Sequence, residues 1–430
     1  MKKNQGILVL ILMILASCST SPDPSSEMNS IQLPELSELS EDRDIQTEEK
    51  ALHIETERIL TGMTIDEKIG QLFILAVRQT AYGKPALRMD DYLRNFMNRY
   101  NPGGIILFSI NFQNPEQTRT LISDMQKESS LPLFIATDEE GGKVSRLGKQ
   151  SNMNVLYLPP AQVLAARDDS LLIEKATSVL ANDLRDLGFN MNMAPVADVT
   201  RNVPPDVIGS RSFGTDPLKT GEMVAAAVRG FQNNRICSVL KHFPGHGYVN
   251  GDSHNGMVKA RGSLEEFKTV DFIPFRKGID AGVDFIMSAH IQAASLTGNA
   301  DPASLSYTIQ TEILRKKLGF EGISITDAMD MGAISHYWSA GEAALKAFQA
   351  GIDIILMPSN IPEAQKYLKD AYINGEISES RLHESLYRII STKVRRGFFQ
   401  ENYQFADRIS SETKTLNHKA LKTELNLTGN

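Results

Sequence analysis

Cysteine is almost missing: the 430 residues hold two, Cys18 and Cys237. That excludes a disulfide framework. Positive charge is in deficit, with 45 Lys and Arg against 52 Asp and Glu, a formal net charge of -7. This balance argues against nucleic acid as a partner. Apolar runs long enough to cross a bilayer are lacking at the N-terminus, where Ile7 to Leu15 is a run of only nine. Histidine is scarce, eight in all, yet three of the eight fall within the fourteen residues Lys241 to His254. What is present is ordinary for a globular protein: 41% hydrophobic and 23% charged residues, enough for a sizeable core.

The first residues read as a targeting segment. Lys2 and Lys3 form a positive region ahead of the short apolar run. Leu15-Ala16-Ser17-Cys18 then resembles the lipobox of bacterial lipoproteins. The resemblance implies a signal peptide over 1–17, acylation of Cys18, and an exported protein anchored to a bacterial membrane. The alternative is an ordinary cleaved signal peptide with an incidental cysteine. Residues 18–50 are rich in Ser, Pro and acids and read as a disordered tether. They carry nine acids against Arg43 and Lys50, so the acidity belongs to the tether and the folded remainder of the mature chain is close to neutral.

Beyond the tether, apolar strand-like runs alternate with amphipathic helical stretches. The candidate strands are Gln71–Val77, Gly104–Phe108, Leu133–Asp138, Asn190–Val199, Ser238–His242, Asp284–His290, Gly322–Asp327 and Asp353–Met357. Helical patterns include Pro115–Ser129, Leu171–Leu187, Pro217–Asn234, Leu264–Ala281 and Tyr307–Leu318. Strand alternating with helix means a parallel sheet, and eight such units predict a single (β/α)8 TIM-type barrel over 51–400. A doubly wound open sheet is the alternative. Polar groups collect where strands end: Asp138, Asp198, Lys241 with His242, His290 and Asp327. Buried charge costs free energy unless paired or used, so a barrel's catalytic face is indicated. Residues 401–430 read as a polar C-terminal tail, with no room for a second large domain.

The stretch KHFPGHGYVNGDSH contains His242, His246, Asp252 and His254. Asp252 can hold and charge His254, raising an imidazole pKa from about 6.5 so that it can protonate a leaving oxygen and then activate water. Gly245, Gly247, Gly251 and Gly256 suggest a mobile loop. His242-x3-His246 has metal-ligand spacing, but Pro244 and Gly245 prevent the helix that would align the pair. The run from Ile323 to Asp330 offers two carboxylates, Asp327 and Asp330, and local sequence does not choose which is a nucleophile and which a helix cap.

KHFPGHG, four residues, then DSH resembles the signature of the exo-β-N-acetylglucosaminidases of glycoside hydrolase family 3. The resemblance runs from about Met63 to Met357. It implies that Asp327 is the nucleophile and Asp252 with His254 the acid/base dyad. Asp138 and Arg146, in DEEGGKVSR, fall in the sugar-binding segment, and Arg211, in IGSRSFG, in a second arginine segment; Lys241 and His242 contact the sugar. No metal or other cofactor is expected. The activity implied is retaining removal of terminal β-N-acetylglucosamine from peptidoglycan fragments or chitooligosaccharides, by a monomer whose partners are its sugar and, through the lipid, a membrane. The alternatives are a phosphorylase, a β-glucosidase of the same family, and a non-catalytic sugar-binding lipoprotein.

Overall fold

The computed structural model describes residues 36–202, 204, 206–249, 251–253, 256–400, 403 and 410–425, with side chains from residue 46. The chain divides into two units, Met1–Lys50 and Ala51–Asn430. In the second, eight strands run in chain order around a barrel: β1 Phe73–Ala76, β2 Gly104–Ile106, β3 Phe134–Thr137, β4 Met191–Asn192, β5 Cys237–Phe243, β6 Phe285–Ser288, β7 Ile323–Thr326 and β8 Ile355–Leu356. All neighbours are parallel, and β8 returns to β1 with Phe73 opposite Ile355. An isolated bridge, Ile325 to Ile354, closes the ring. Each predicted strand overlaps one of these, and with the ring closed the open-sheet alternative falls.

β4 is far shorter than the expected Asn190–Val199. Pro195 has no N–H for a ladder, and pairing resumes only at Val196 beside Lys241. Two asparagine side chains replace the missing backbone bonds. Asn190 Oδ1 accepts from Ile135 N–H at 2.7 Å and Asn192 Oδ1 from Glu139 N–H at 2.9 Å.

The helices pack outside the ring, among them α1 Ser170–Asp186 and α2 Pro217–Gln232. Gly230 of α2 lets them approach: a Cβ there would stand 2.0 Å from Thr177 Oγ1. One expectation needs correcting. The tether does not extend to residue 50, because a helix covers Leu36–Gly62. Its Glu, Leu, Lys and Ala content favours helix, and its end is anchored by buried Ile59 and Leu60. The C-terminal tail also contains a helix, α3 Ser411–Glu424. Its Lys414 reaches Asp183 and Asp186 of α1 at 3.4 and 3.3 Å, and His418 Nε2 lies 2.7 Å from Asp183 Oδ2. Buried Leu421 and Leu425 complete the docking face, but half of that face is ionic, so hydrophobic periodicity gives little sign of it.

The barrel floor also holds buried charges, each with partners. Asp353 is bound by Arg315 at 2.5 Å and Arg388 at 3.1 Å, and Asp284 by Arg396 at 2.8 Å. Lys393 is fully buried, donating to Gln71 Oε1 at 2.6 Å and Gly103 O at 3.0 Å, beneath the Phe134 ring. Burial pushes its pKa from 10.5 down to about 7. The unfolded chain therefore binds the extra proton between these two values, so stability should rise as pH climbs from about 7 toward 10.5. Urea denaturation across that window is expected to show this slope, and Lys393→Met to lose about one proton's worth of it. An unchanged slope would refute the assignment.

Candidate active site

Strands β3 to β7, all parallel, bring polar side chains to one rim. The chain leaves β3 as an extended stretch, so alternate residues face opposite ways. Asp138 and Glu140 both meet Lys241 of β5, whose Nζ lies 3.2 Å from Asp138 Oδ1 and 2.5 Å from Glu140 Oε1. Glu139 turns the other way into the wall. Its carboxylate accepts the N–H groups of Arg146 and Leu147 at 2.8 Å and of Gly148 at 3.2 Å, and the Ser145 hydroxyl. One buried carboxylate thus folds the turn that presents Arg146, whose Nη2 donates to Asp138 Oδ2 at 3.3 Å.

Arg211 comes from a short 3-10 turn, Gly209–Arg211, and grips Glu140 through two parallel bonds of 2.9 and 2.8 Å. Burial opposes the charge on Glu140, but Lys241 and Arg211 outweigh it and hold the carboxyl at about 2. A fork on a carboxylate is the strong, oriented form of this contact.

His242 and His246 both turn about Asp198, which lies beyond β4. His242 Nδ1 is 2.6 Å from Asp198 Oδ2, and the His246 N–H donates to Oδ1 at 2.6 Å. Burial works against an ionised Asp198, yet the two histidines keep its pKa below the usual carboxylate range. The metal-like spacing thus serves a shared carboxylate. His242 Nε2 stands 3.4 Å from Arg211 Nη2, which joins the two clusters.

Asp327 follows β7 and is partly exposed at the mouth. Its Oδ1 accepts the Ala328 N–H at 2.7 Å. Burial again opposes the charge, but His242, His290, that N–H and Lys241 hold the carboxyl below its ordinary pKa. The group is an ionised carboxylate that is not fully buried. Asp330 instead lies exposed on the rim, 3.7 Å from Arg78 Nη1. His290 is buried, and burial lowers its pKa. Nε2 lies 3.1 Å from the Ala328 carbonyl and Nδ1 2.8 Å from Ser304 Oγ. With both nitrogens engaged, His290 supports the residue that caps Asp327.

The structure therefore gathers Asp138, Arg146, Arg211, Lys241 and His242 into one network, with the Asp327 carboxylate in its field. Asp252 sits half-buried in the loop that begins at Val249 and returns at Ala260. His254 and Cys18 lie outside the described residues. Two of the glycines read as signs of mobility serve close packing. A Cβ on Gly247 would stand 1.9 Å from Val199 O, and one on Gly245, at φ +135°, 2.7 Å from Asp271 Cβ. Sequence reasoning passed over Glu139, Glu140 and His246 as site residues and noted Asp198 only as a strand end. The period-two alternation of Asp138, Glu139 and Glu140 was the available signal for the first two.

Residues 64–392 match the glycosyl hydrolase family 3 N terminal domain. The β-hexosaminidase A of Pseudoalteromonas piscicida is 34% identical over 334 residues, 70% of this chain but only 55% of that protein. The β-hexosaminidase LpqI of Mycobacterium tuberculosis is 32% identical over 340 residues, 76% of this chain and 82% of its own. A solved family 3 β-N-acetylglucosaminidase from Paenibacillus sp. str. FPU-7 is similar with a TM-score of 0.76 and 32% identity, over 84% of this chain and 68% of its own.

Proposed function

The chain belongs to glycoside hydrolase family 3, and from that premise we propose that it is a retaining exo-β-N-acetylglucosaminidase. Its substrates are peptidoglycan fragments or chitooligosaccharides with a terminal β-N-acetylglucosamine. One observation carries the reading. The ionised, partly exposed Asp327 stands in the field of Lys241, whose Nζ is bound to Asp138 and Glu140. The relatives named β-hexosaminidase support the choice of sugar.

In this reading Asp138, Arg146 and Lys241 bind sugar hydroxyls, the carboxylate accepting and the cations donating. Arg211 and Glu140 hold Lys241 in place, and His242 contacts the sugar while Asp198 fixes its tautomer. Asp327 attacks the anomeric carbon as the aglycone oxygen leaves. His254, oriented by Asp252, protonates that oxygen. It next takes a proton from water, which displaces Asp327 and returns the sugar with its β configuration. The leader and Cys18 support export and anchoring to a membrane by lipid.

Hydrolysis of p-nitrophenyl N-acetyl-β-glucosaminide beside the β-glucoside tests the reading. The N-acetyl sugar is expected to turn over without phosphate and to appear first as the β-anomer by NMR, with the glucoside left nearly untouched. Sugar 1-phosphate formed only when phosphate is added, or first product of α configuration, would overturn it. Turnover of the glucoside at an equal rate would remove the choice of sugar.

A further inference from the structure

His246 has no part in the sugar-binding network, yet it is buried at 5% exposure in the histidine-rich loop. Its Nε2 lies 3.1 Å from Ser253 Oγ, and its Nδ1 has no hydrogen-bond partner among the described residues. Burial, with His242 beside it, lowers its pKa to about 4, so the ring is neutral in ordinary buffers. A neutral imidazole carries one N–H and one lone pair. A proton on Nδ1 would be an orphaned buried donor, which folded proteins rarely tolerate. A proton on Nε2 instead donates to the Ser253 hydroxyl. The ring itself is well fixed: the His246 backbone N–H is bound to Asp198, and the ring packs edge-to-face with His242 at 5.6 Å between centroids.

Ser253 stands between Asp252 and His254 in the chain. Its carbonyl accepts the Ala333 N–H at 3.3 Å, from the segment that follows Asp327 after β7. The one residue between the two members of the dyad is thus held twice, by the base of its own loop and by the loop of the nucleophile. An apolar plug would hold a loop without fixing its rotation. A directed hydrogen bond fixes it.

We propose that His246 and Ser253 form a latch that sets the loop at Asp252 and Ser253 against the loop carrying Asp327. Both are positioning residues that act through the dyad, so the proposal rests on the acid/base reading given above. A latch of this kind matters when the aglycone needs a proton to leave, and little when it leaves unaided.

The test compares Ser253→Ala, Ser253→Thr and Asp252→Asn on chitobiose, a poor leaving group, and on the p-nitrophenyl glycoside. Ser253→Ala is expected to lower kcat on chitobiose by about tenfold, the loss of one hydrogen bond, with a much smaller loss on the aryl substrate and KM near wild type. Ser253→Thr, which keeps the hydroxyl, should restore most of the rate. If Ser253→Ala matches the wild type, or loses equally on both substrates, while Asp252→Asn still discriminates, the latch is overturned and the acid/base reading stands. If Asp252→Asn shows no leaving-group dependence, the acid/base reading falls and the latch falls with it.

Discussion

Asp327→Ala is expected to lower kcat on p-nitrophenyl N-acetyl-β-glucosaminide by roughly 10⁴ or more, as removal of a nucleophile commonly does. The physical ground is the state of this carboxylate. Burial would protonate it, but His242, His290, the Ala328 N–H and Lys241 together keep it ionised. Those groups converge on the place where negative charge is wanted before attack. The fold should not suffer, because Asp327 is partly exposed and removing a charge that burial penalises relieves a cost. The neighbouring Asp330 makes a built-in comparison. Among the described residues its one ion pair is the long contact to Arg78 on the rim, so Asp330→Ala should keep most of the rate. Steady-state rates of both variants, with melting curves to show that each is folded, check the pair. Near-wild-type turnover by Asp327→Ala would sink the nucleophile assignment.

Glu140→Ala should be the most destabilising single change in the site. It leaves two buried cations, Arg211 and Lys241, without the anion that binds both. Breaking one side of a buried pair typically costs about 3–5 kcal/mol, since the remaining charge is stranded. Asp138→Ala removes a less buried carboxylate with single, longer bonds of 3.2 and 3.3 Å. It should cost much less stability and act mainly on KM. Urea denaturation of the two variants separates them, and a smaller loss for Glu140→Ala than for Asp138→Ala would contradict the clamp. The same pair predicts an acid limb. The folded pKa of Glu140, about 2, lies below its ordinary 4.5. Its stabilising contribution is therefore complete above about 4.5 and is lost as pH falls toward 2. Glu140→Gln should flatten that part of the stability profile.

The two ends of the barrel show why charge at a strand end is an incomplete signal. Asp284 and Asp353 lie at the floor, as buried as the groups at the mouth, but arginines from outside the ring engage them. The mouth differs in presenting a partly exposed anion, Asp327, within reach of a ligand. A list of charged strand residues cannot make that distinction, because exposure depends on what packs above each one. The C-terminal helix Ser411–Glu424 escaped notice for a related reason. Lys414 and His418 are one turn apart on a single face, and the partner that gives the face meaning, Asp183, is more than two hundred residues earlier in the chain.

The sequence alone indicated eight strands in barrel order, the start of each strand to within a few residues, and the motif segments from which the candidate site is drawn. It could do so because side-chain period, turn residues and short motifs are local properties, readable within a dozen residues. The clamp of Glu140 by Arg211 spans 71 residues and the contact of Asp138 with Lys241 spans 103. Pairings of that reach, the support of Asp327 by His290 through Ala328, and the hold of His246 on Ser253 exist only once the parallel strands close into a ring. Closure sets distance, burial and local dielectric, and these decide which carboxylates stay charged, which are tied down, and which face the barrel mouth.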